Sequence, residues 1–445
     1  MASTYLTKAF STATSQKKGT ISFWFKTCKF TSTQGNFFST YENDNNRTIM
    51  KLNGDSQFEF QARSGGNVDL RFDTNRKFRD TNAWYHIVIA TDTTLGTAGD
   101  RCKIWVNGVQ ETSFATSTIP NQNVQPHYLY NNMTKIIGAY ANGTANYFDG
   151  IMSHFHFTDG YVYAASDFGE TDSTTGEWKI KTSPSVTYGN NGFFILKDGN
   201  SVTDQSGNSN NFTVGGGTLT KTEDCPSNVF ATWNNLFPAG GSLTFNNGNT
   251  QLYNTGTAAY RTSVSTIGAS TGKFYAEFKC EGDTFFTGVL DISDTKMGIN
   301  DTTFGSSSNM TAYGYGIFNS TGNVSNNGST VVSGYSAALS SGDILGVALD
   351  ATNKKLYFAK NGTWQNSGDP TSGSTGTGAI SLASGDRTWV FASSVNGTNI
   401  SANFGNGYFG TTAVSSAGTN ASGIGIFEYD VPTGYTALST KGLNE

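Results

Sequence analysis

The chain has 445 residues, enough for two domains of ordinary size. Aromatic residues make up 13% of it, charged residues 14%, and the formal net charge is −5. Disordered chains carry few aromatics and a high net charge, so that class is excluded. A nucleic-acid partner is excluded too, because no basic footprint is present. The 53 glycines, set among abundant Asn, Ser and Thr, argue against helix bundles and for an all-β, loop-rich protein.

The opening residues, 1–8, hold no apolar core, so no secretory leader is expected. The longest apolar runs, such as residues 21–25 and 87–90, are strand-length, far from the roughly 18 residues of a membrane helix, and no membrane insertion is expected. Strict alternation over residues 67–73 places Val68, Leu70 and Phe72 on one face and Asp69, Arg71 and Asp73 on the other, the pattern of a half-buried strand. Residues 103–110 predict a hairpin whose Asn107-Gly108 supplies the two positive φ angles of a type I′ turn. Residues 356–364 predict another, with Asn361-Gly362 at the turn. The best helical stretch is a turn or two over residues 164–169. Near residue 220 the composition shifts, from Gly215-Gly216-Gly217 to Asp224-Cys225-Pro226-Ser227, predicting domains at 1–222 and 223–445. Cys28, Cys102, Cys225 and Cys280 are far apart and form no C-x-x-C, so reduced, mostly buried thiols are expected. Cys280 shares strand parity with Phe274, Ala276 and Phe278.

Catalytic patterns are few. Glu170-Thr171-Asp172 begins the E-x-D-x-(x)-E strand of retaining glucanases, but Thr174 and Thr175 stand where the second carboxylate belongs. Residues 268–272 match G-x-S-x-G, yet a strand pattern follows where a helix is needed, and His86, His127, His154 and His156 all precede Ser270. A plain turn is expected there. His154 and His156 stand on one face of a predicted strand, with Phe155 and Phe157 on the other. The i, i+2 spacing suits a metal but lacks further ligands nearby, so exposed or hydrogen-bonded histidines are expected. No catalytic residue is assigned and the chain is expected not to be an enzyme; a polysaccharide hydrolase or lyase is the alternative.

Residues 21–26, 84–89, 103–109 and 147–151, in this order, resemble core strands of laminin-G/pentraxin-type concanavalin A-like domains. Residues 204–211 resemble the D-x-S-G-N-x-N signature of the same group. In the second half, Gly272-Lys273-Phe274-Tyr275-Ala276-Glu277 resembles the G-K-W-Y-W-E opening strand of SPRY domains, with Phe274 and Ala276 at the Trp positions. Residues 342–350, then 355–364 with K-N-G-x-W, and Asn403-Phe404-Gly405 resemble the central hairpin and closing strand of SPRY. The resemblance implies two concanavalin A-like jelly rolls in tandem. The pairing of modules, ending at residues 431–438, resembles surface proteins of tailed bacteriophages. That implies a virion-surface component (tail fibre, spike or capsid decoration) that recognises host-surface glycan or docks on other virion proteins, as a homo-oligomer. Some laminin-G/pentraxin members hold calcium, which would fall here on Asp198, Asp204 and Asn208, in a loop rich in hard oxygen donors. The other reading of that loop is a turn built by Asx hydrogen bonds. Glycan contacts need aromatic faces beside polar groups, and Trp364, Trp389, Tyr313 and Tyr315 are the candidates in the SPRY-like half.

Overall fold

A computed structural model describes residues 3–28, 35–197, 202–237, 243–256, 260–282, 284–293 and 313–445. The chain divides into two compact units, residues 1–221 and 222–445. Each is a sandwich of two antiparallel sheets, the all-β class expected from the sequence. The helical stretch reduces to one turn, Ala165–Phe168. Among the described residues no helix is long and apolar enough to cross a membrane.

In the first unit, an eight-stranded sheet runs in the order Phe114–Thr118, Asn67–Lys77, Gln57–Ser64, Asn46–Leu52, Asn36–Asn43, Thr134–Ile137, Tyr5–Ala9, Thr213–Gly216. It packs on a six-stranded sheet centred on Lys18–Thr27, which lies between Gly150–Asp159 and Tyr85–Asp92. Alternation explains the core. Ile21, Phe23 and Phe25 point between the sheets, where they meet Phe37, Phe58, Phe155 and Ile87, all fully buried. The intervening Ser22 and Trp24 are buried as well, because the other face of the six-stranded sheet is covered. Trp24 stacks on His86 at 4.6 Å, and Trp178, from the short hairpin Gly169–Thr171/Trp178–Ile180, covers His86 in turn.

Lys135 breaks the pattern. It shares strand parity with core residue Ile137, and its Nζ lies 4.8 Å from the Phe10 ring centroid and 4.7 Å from that of Phe157. Burial pushes its pKa down to about 8, partly countered by Asp159. The folded state therefore disfavours the charged amine, a cost present in full at neutral pH and relieved as pH rises from about 8 toward the ordinary lysine value. Lys135→Met is expected to gain roughly 1 kcal/mol at pH 7, after allowance for two lost cation–π contacts. Thermal melts should show the gain shrinking as pH approaches 10; an unchanged difference between pH 7 and 10 would sink this account.

In the second unit, one sheet runs Leu243–Asn246, Gln251–Asn254, Asn399–Asn403, Lys273–Cys280, Ile344–Asp350, Lys355–Lys360, Thr363–Trp364. The other runs Arg261–Val264, Trp389–Val395, Phe285–Asp291, Gly314–Phe318, Val324–Asn326, Ser329–Val332. Phe274, Ala276, Phe278 and Cys280 alternate into the space between them. Tyr275 and Glu277 face the opposite side and are covered by the C-terminal segment, whose Phe427, Val431 and Tyr435 pack there with Tyr357. Thr436–Ala437 ends that segment as a parallel partner of Phe274 and Tyr275. Both predicted Asn-Gly hairpins form: φ is +47° and +79° at Asn107-Gly108, and +49° and +78° at Asn361-Gly362.

Candidate ligand-binding site

At one end of the second unit three loops converge. The strands Lys273–Cys280 and Ile344–Asp350 meet there as the pair Lys273 and Asp350, and the other sheet ends in the pair Asp291 and Trp389. A bridge between Ala269 and Trp389 ties the loop before Lys273 to the second sheet. Between these ends lies a pocket of about 250 Å³, lined by Ser270, Thr271, Thr352, Lys354, Asp386 and Arg387, with Trp389 also in its wall. The G-x-S-x-G stretch is thus a turn, as expected, and its Ser270 and Thr271 line the pocket.

Arg387 is fixed from three sides. Its Nη1 donates to Asp291 Oδ2 at 2.6 Å, its Nε donates to the Ser384 carbonyl at 3.0 Å, and its guanidinium lies 3.5 Å over the Tyr313 ring. Asp291 is fully buried and also accepts the Ser293 N–H and hydroxyl. The Asp291 hydrogen bond raises the Arg387 pKa above its ordinary value, so the cation persists at any working pH. A locked planar guanidinium, set beside Asp386, Ser270, Thr271 and Lys354, gives one fixed donor among further polar groups, which suits a small polyhydroxyl ligand.

The four aromatic candidates separate. Tyr313, Tyr315 and Trp389 gather around this end: Tyr315 and Trp389 meet edge-on at 6.0 Å, and Tyr313 carries Arg387. Trp389 is 1% exposed and Tyr315 9%, so neither offers a free ring face, which corrects their assignment as stacking platforms. Their strand parity points them into the core. Trp364 stands elsewhere, half-buried and edge-on to Tyr275 and Tyr357 beneath the C-terminal segment. Arg387, Asp386, Asp291 and Lys354 were not singled out from the sequence. The available signal was that Arg387 stands two residues before Trp389, sharing its parity at a strand entry.

Of the calcium candidates, Asp198 lies outside the described residues. Asp204 has its carboxylate surrounded by donors: the N–H groups of Phe194 at 2.8 Å, Ser206 at 2.9 Å and Asn210 at 2.8 Å, and the Ser206 hydroxyl at 2.7 Å. Asn208 turns its amide nitrogen to the carbonyls of Gly189 and Gly192, and Asn210 turns its own to Asn190 and Gly192. Gly207 sits at φ +88°. Asp204, Asn208 and Asn210 clasp residues 189–194, and Ser206 braces the Asp204 carboxylate. A cation needs inward lone pairs, and those of Asp204 already face four protons, so Asp204 and Asn208 do not fit calcium.

The histidines are interior hydrogen-bonding groups. The Trp178 indole N–H donates to His86 Nδ1 at 3.0 Å, which leaves Nε2–H to donate to Ser22 Oγ at 2.8 Å. Burial pushes the His86 pKa down to about 3, so it is neutral. His156 bonds the Tyr188 hydroxyl at 2.9 Å and stacks 3.9 Å from Phe194. His154 stands at φ +48° in a bulge that interrupts the alternation between Ser153 and His156. Among the described residues, no three His, Cys, Asp or Glu side chains stand together as metal ligands.

Residues 2–166 match the family model described as the concanavalin A-like lectin/glucanases superfamily, of laminin-G type. Solved structures similar to this chain include the SPRY domain of human HERC1, at 14% identity over 36% of this chain and 92% of that one, with a TM-score of 0.28. A heptameric SAP-like pentraxin from Limulus polyphemus matches at 15% identity over 48% and 89%, with a TM-score of 0.30. Domain 4 of the GH43 extracellular arabinanase AbnA from Geobacillus stearothermophilus, in complex with arabinotriose, matches at 16% identity over 33% and 63%, with a TM-score of 0.24. No curated protein matches the chain.

Proposed function

We propose that this protein is a non-catalytic carbohydrate-recognition protein that takes a single sugar ring in the pocket of its second unit. The observation that carries the reading is the locked Arg387, set with Ser270, Thr271, Lys354 and Asp386 around a cavity of about 250 Å³, the scale of one ring. Sugars demand many directed hydrogen bonds and little net charge, and the lining offers both. The match of residues 2–166 to a lectin/glucanase superfamily supports the same class of ligand for the first unit. The finer reading, a tailed-phage virion component displaying these units to host glycans or to neighbouring virion proteins, rests on the pairing of modules, and immunogold labelling of virions tests it.

Lys354 and Asp386 are the residues to change, because Arg387 also holds Asp291. The wild-type protein is expected to retain neutral oligosaccharides on a glycan array without releasing reducing sugar. The double variant Lys354→Ala/Asp386→Ala should bind the same glycans about tenfold more weakly, the loss of one or two hydrogen bonds to charged groups, with an unchanged thermal midpoint. Equal binding by the variant removes the pocket from the reading. Released reducing sugar overturns the non-catalytic part, and no binding to any glycan overturns the whole.

A further inference from the structure

The outward face of the eight-stranded sheet carries a feature that stability alone disfavours. In the register of strands Asn46–Leu52 and Gln57–Ser64, Arg47 lies directly opposite Arg63. Both point away from the core, since Thr48, Met50, Phe60 and Ala62 hold the inward positions and are buried. Directly opposed residues have Cβ atoms about 5 Å apart, and like charges there repel. Elsewhere on this face the one other pair of opposed like charges, Glu59 and Asp73, is neutralised: Arg71 bonds Asp73 at 2.8 Å and approaches Glu59 at 3.9 Å, and Lys51, opposite Glu59, lies 3.5 Å from it. Among the described residues no carboxylate bridges the two arginines in this way.

The two arginines also keep donors unused. Arg63 makes one hydrogen bond, from Nη2 to the Gly66 carbonyl at 3.1 Å, and among the described residues no carboxylate stands within ion-pair distance of it. The nearby Asp69 carboxylate is turned to the Ser64 hydroxyl. Arg47 donates from Nη1 to the Tyr140 hydroxyl at 2.8 Å and to Asp44 at 3.0 Å, a carboxylate that is 80% exposed and freely displaced. The Nε of each arginine is buried and has no hydrogen-bond partner among the described residues. Arg47 lies 5.9 Å from the Tyr140 ring, which meets Tyr41 edge-on at 5.4 Å, so an aromatic wall stands beside the guanidinium. Two hairpin turns dock here and fix the backbone: the Gly65 N–H donates to the Asn46 side chain at 2.7 Å, and the Gly66 N–H donates to the Asn45 carbonyl at 3.0 Å.

We propose that Arg47 and Arg63 form an anion site for the carboxylate or sulfate group of an acidic saccharide. An anion bound by both arginines turns the repulsion of the opposed pair into charge-assisted contacts, and planar guanidinium forks match carboxylate and sulfate oxygens. The Tyr41 and Tyr140 rings supply an apolar edge for the sugar that carries the group. The saccharide half of this proposal rests on the carbohydrate reading above; the anion half stands on the arginine pair. The site is on the first unit and independent of the Arg387 pocket.

The test uses the full chain with oligogalacturonate, a neutral galacto-oligosaccharide of equal length and inorganic sulfate as probes. Calorimetric titration should show oligogalacturonate bound about tenfold more tightly than the neutral oligomer, and Arg63→Gln should erase the difference. Arg63→Lys, which keeps the charge and loses the fork, should recover part of it. Lys441→Gln, a charge change in the other unit, should leave it intact; an equal loss there would mean unspecific polyanion binding and overturn the site. Without ligand, the thermal midpoint of Arg63→Gln should equal or exceed that of wild type, and sulfate should raise only the wild-type midpoint. A lowered midpoint in the variant, with sulfate acting on both proteins alike, would make Arg63 purely structural. If acidic and neutral oligomers bind equally and the Lys354→Ala/Asp386→Ala variant still loses neutral sugar, this proposal fails while the pocket reading survives. If sulfate binds through Arg63 and no saccharide does, the anion site stands and its saccharide half fails.

Discussion

Asp204→Ala is expected to lower the thermal midpoint of the first unit by about 10 °C, and by the same amount with calcium or with a chelator present. The carboxylate accepts three backbone N–H groups and one hydroxyl, at 2.7–2.9 Å, in a site where Asp204 is 9% exposed. Hydrogen bonds to charged acceptors contribute about 1.5–3 kcal/mol each but are not additive within one cluster. Removing the common acceptor leaves the Phe194 N–H buried and unsatisfied, and frees the chain that Asn208 and Asn210 hold. A loss of about 3–5 kcal/mol follows, near the upper end for a point mutation. For a unit of this size each kcal/mol moves the midpoint by about 2–4 °C. Asp204→Asn keeps one acceptor oxygen and should fall between wild type and Asp204→Ala. Hydrogen exchange at residues 189–194 should rise in step with the loss. A calcium-dependent midpoint in wild type, abolished in Asp204→Ala, would restore the metal reading and displace this one.

The fold was legible because its signals are local. The shared parity of Phe274, Ala276, Phe278 and Cys280 and the two Asn-Gly turns each depend on neighbours within a few residues, and each forms as read. The sites were less legible because they depend on the third dimension. Strand parity alone could have warned that Trp389 and Tyr315 face inward, but which face is inward depends on the partner sheet. Lys135 at a core position and the covered Trp24 face follow from what packs above them, Phe10 and Phe157 in one case and Trp178 in the other. The Asp204 loop shows a different limit. Oxygen-rich turns satisfy either a cation or their own backbone, and only the direction of each N–H decides. The Arg47–Arg63 opposition needs the register, which no single strand contains.

Glu277 supplies the second large effect, a stability that falls as the solution is made less acid. It lies on the covered side of the strand Lys273–Cys280, fully buried, and accepts the Glu428 N–H at 2.8 Å, the Tyr429 N–H at 2.9 Å, the Tyr275 hydroxyl at 3.2 Å and the Asn403 amide at 3.3 Å. Burial raises its pKa to about 7, and the four donors only partly offset that. The folded state therefore holds its proton more tightly than the unfolded chain does, whose pKa is the ordinary 4.5. Stability from this group is complete below that value and is lost as pH rises to about 7, a change of up to roughly 3 kcal/mol. The part of the molecule affected is the C-terminal segment, because Glu428 and Tyr429 bind the carboxylate through their backbone. Hydrogen exchange over residues 426–431 should speed up between pH 5 and pH 7.5, beyond the intrinsic pH effect on exchange. Glu277→Gln cannot ionise, and its NH₂ group must face one of the four donors, so it should be less stable than wild type at pH 5. As the wild type loses stability with rising pH, the two midpoints should converge toward pH 8. Parallel curves for the two proteins across this range would show that Glu277 does not carry the titration.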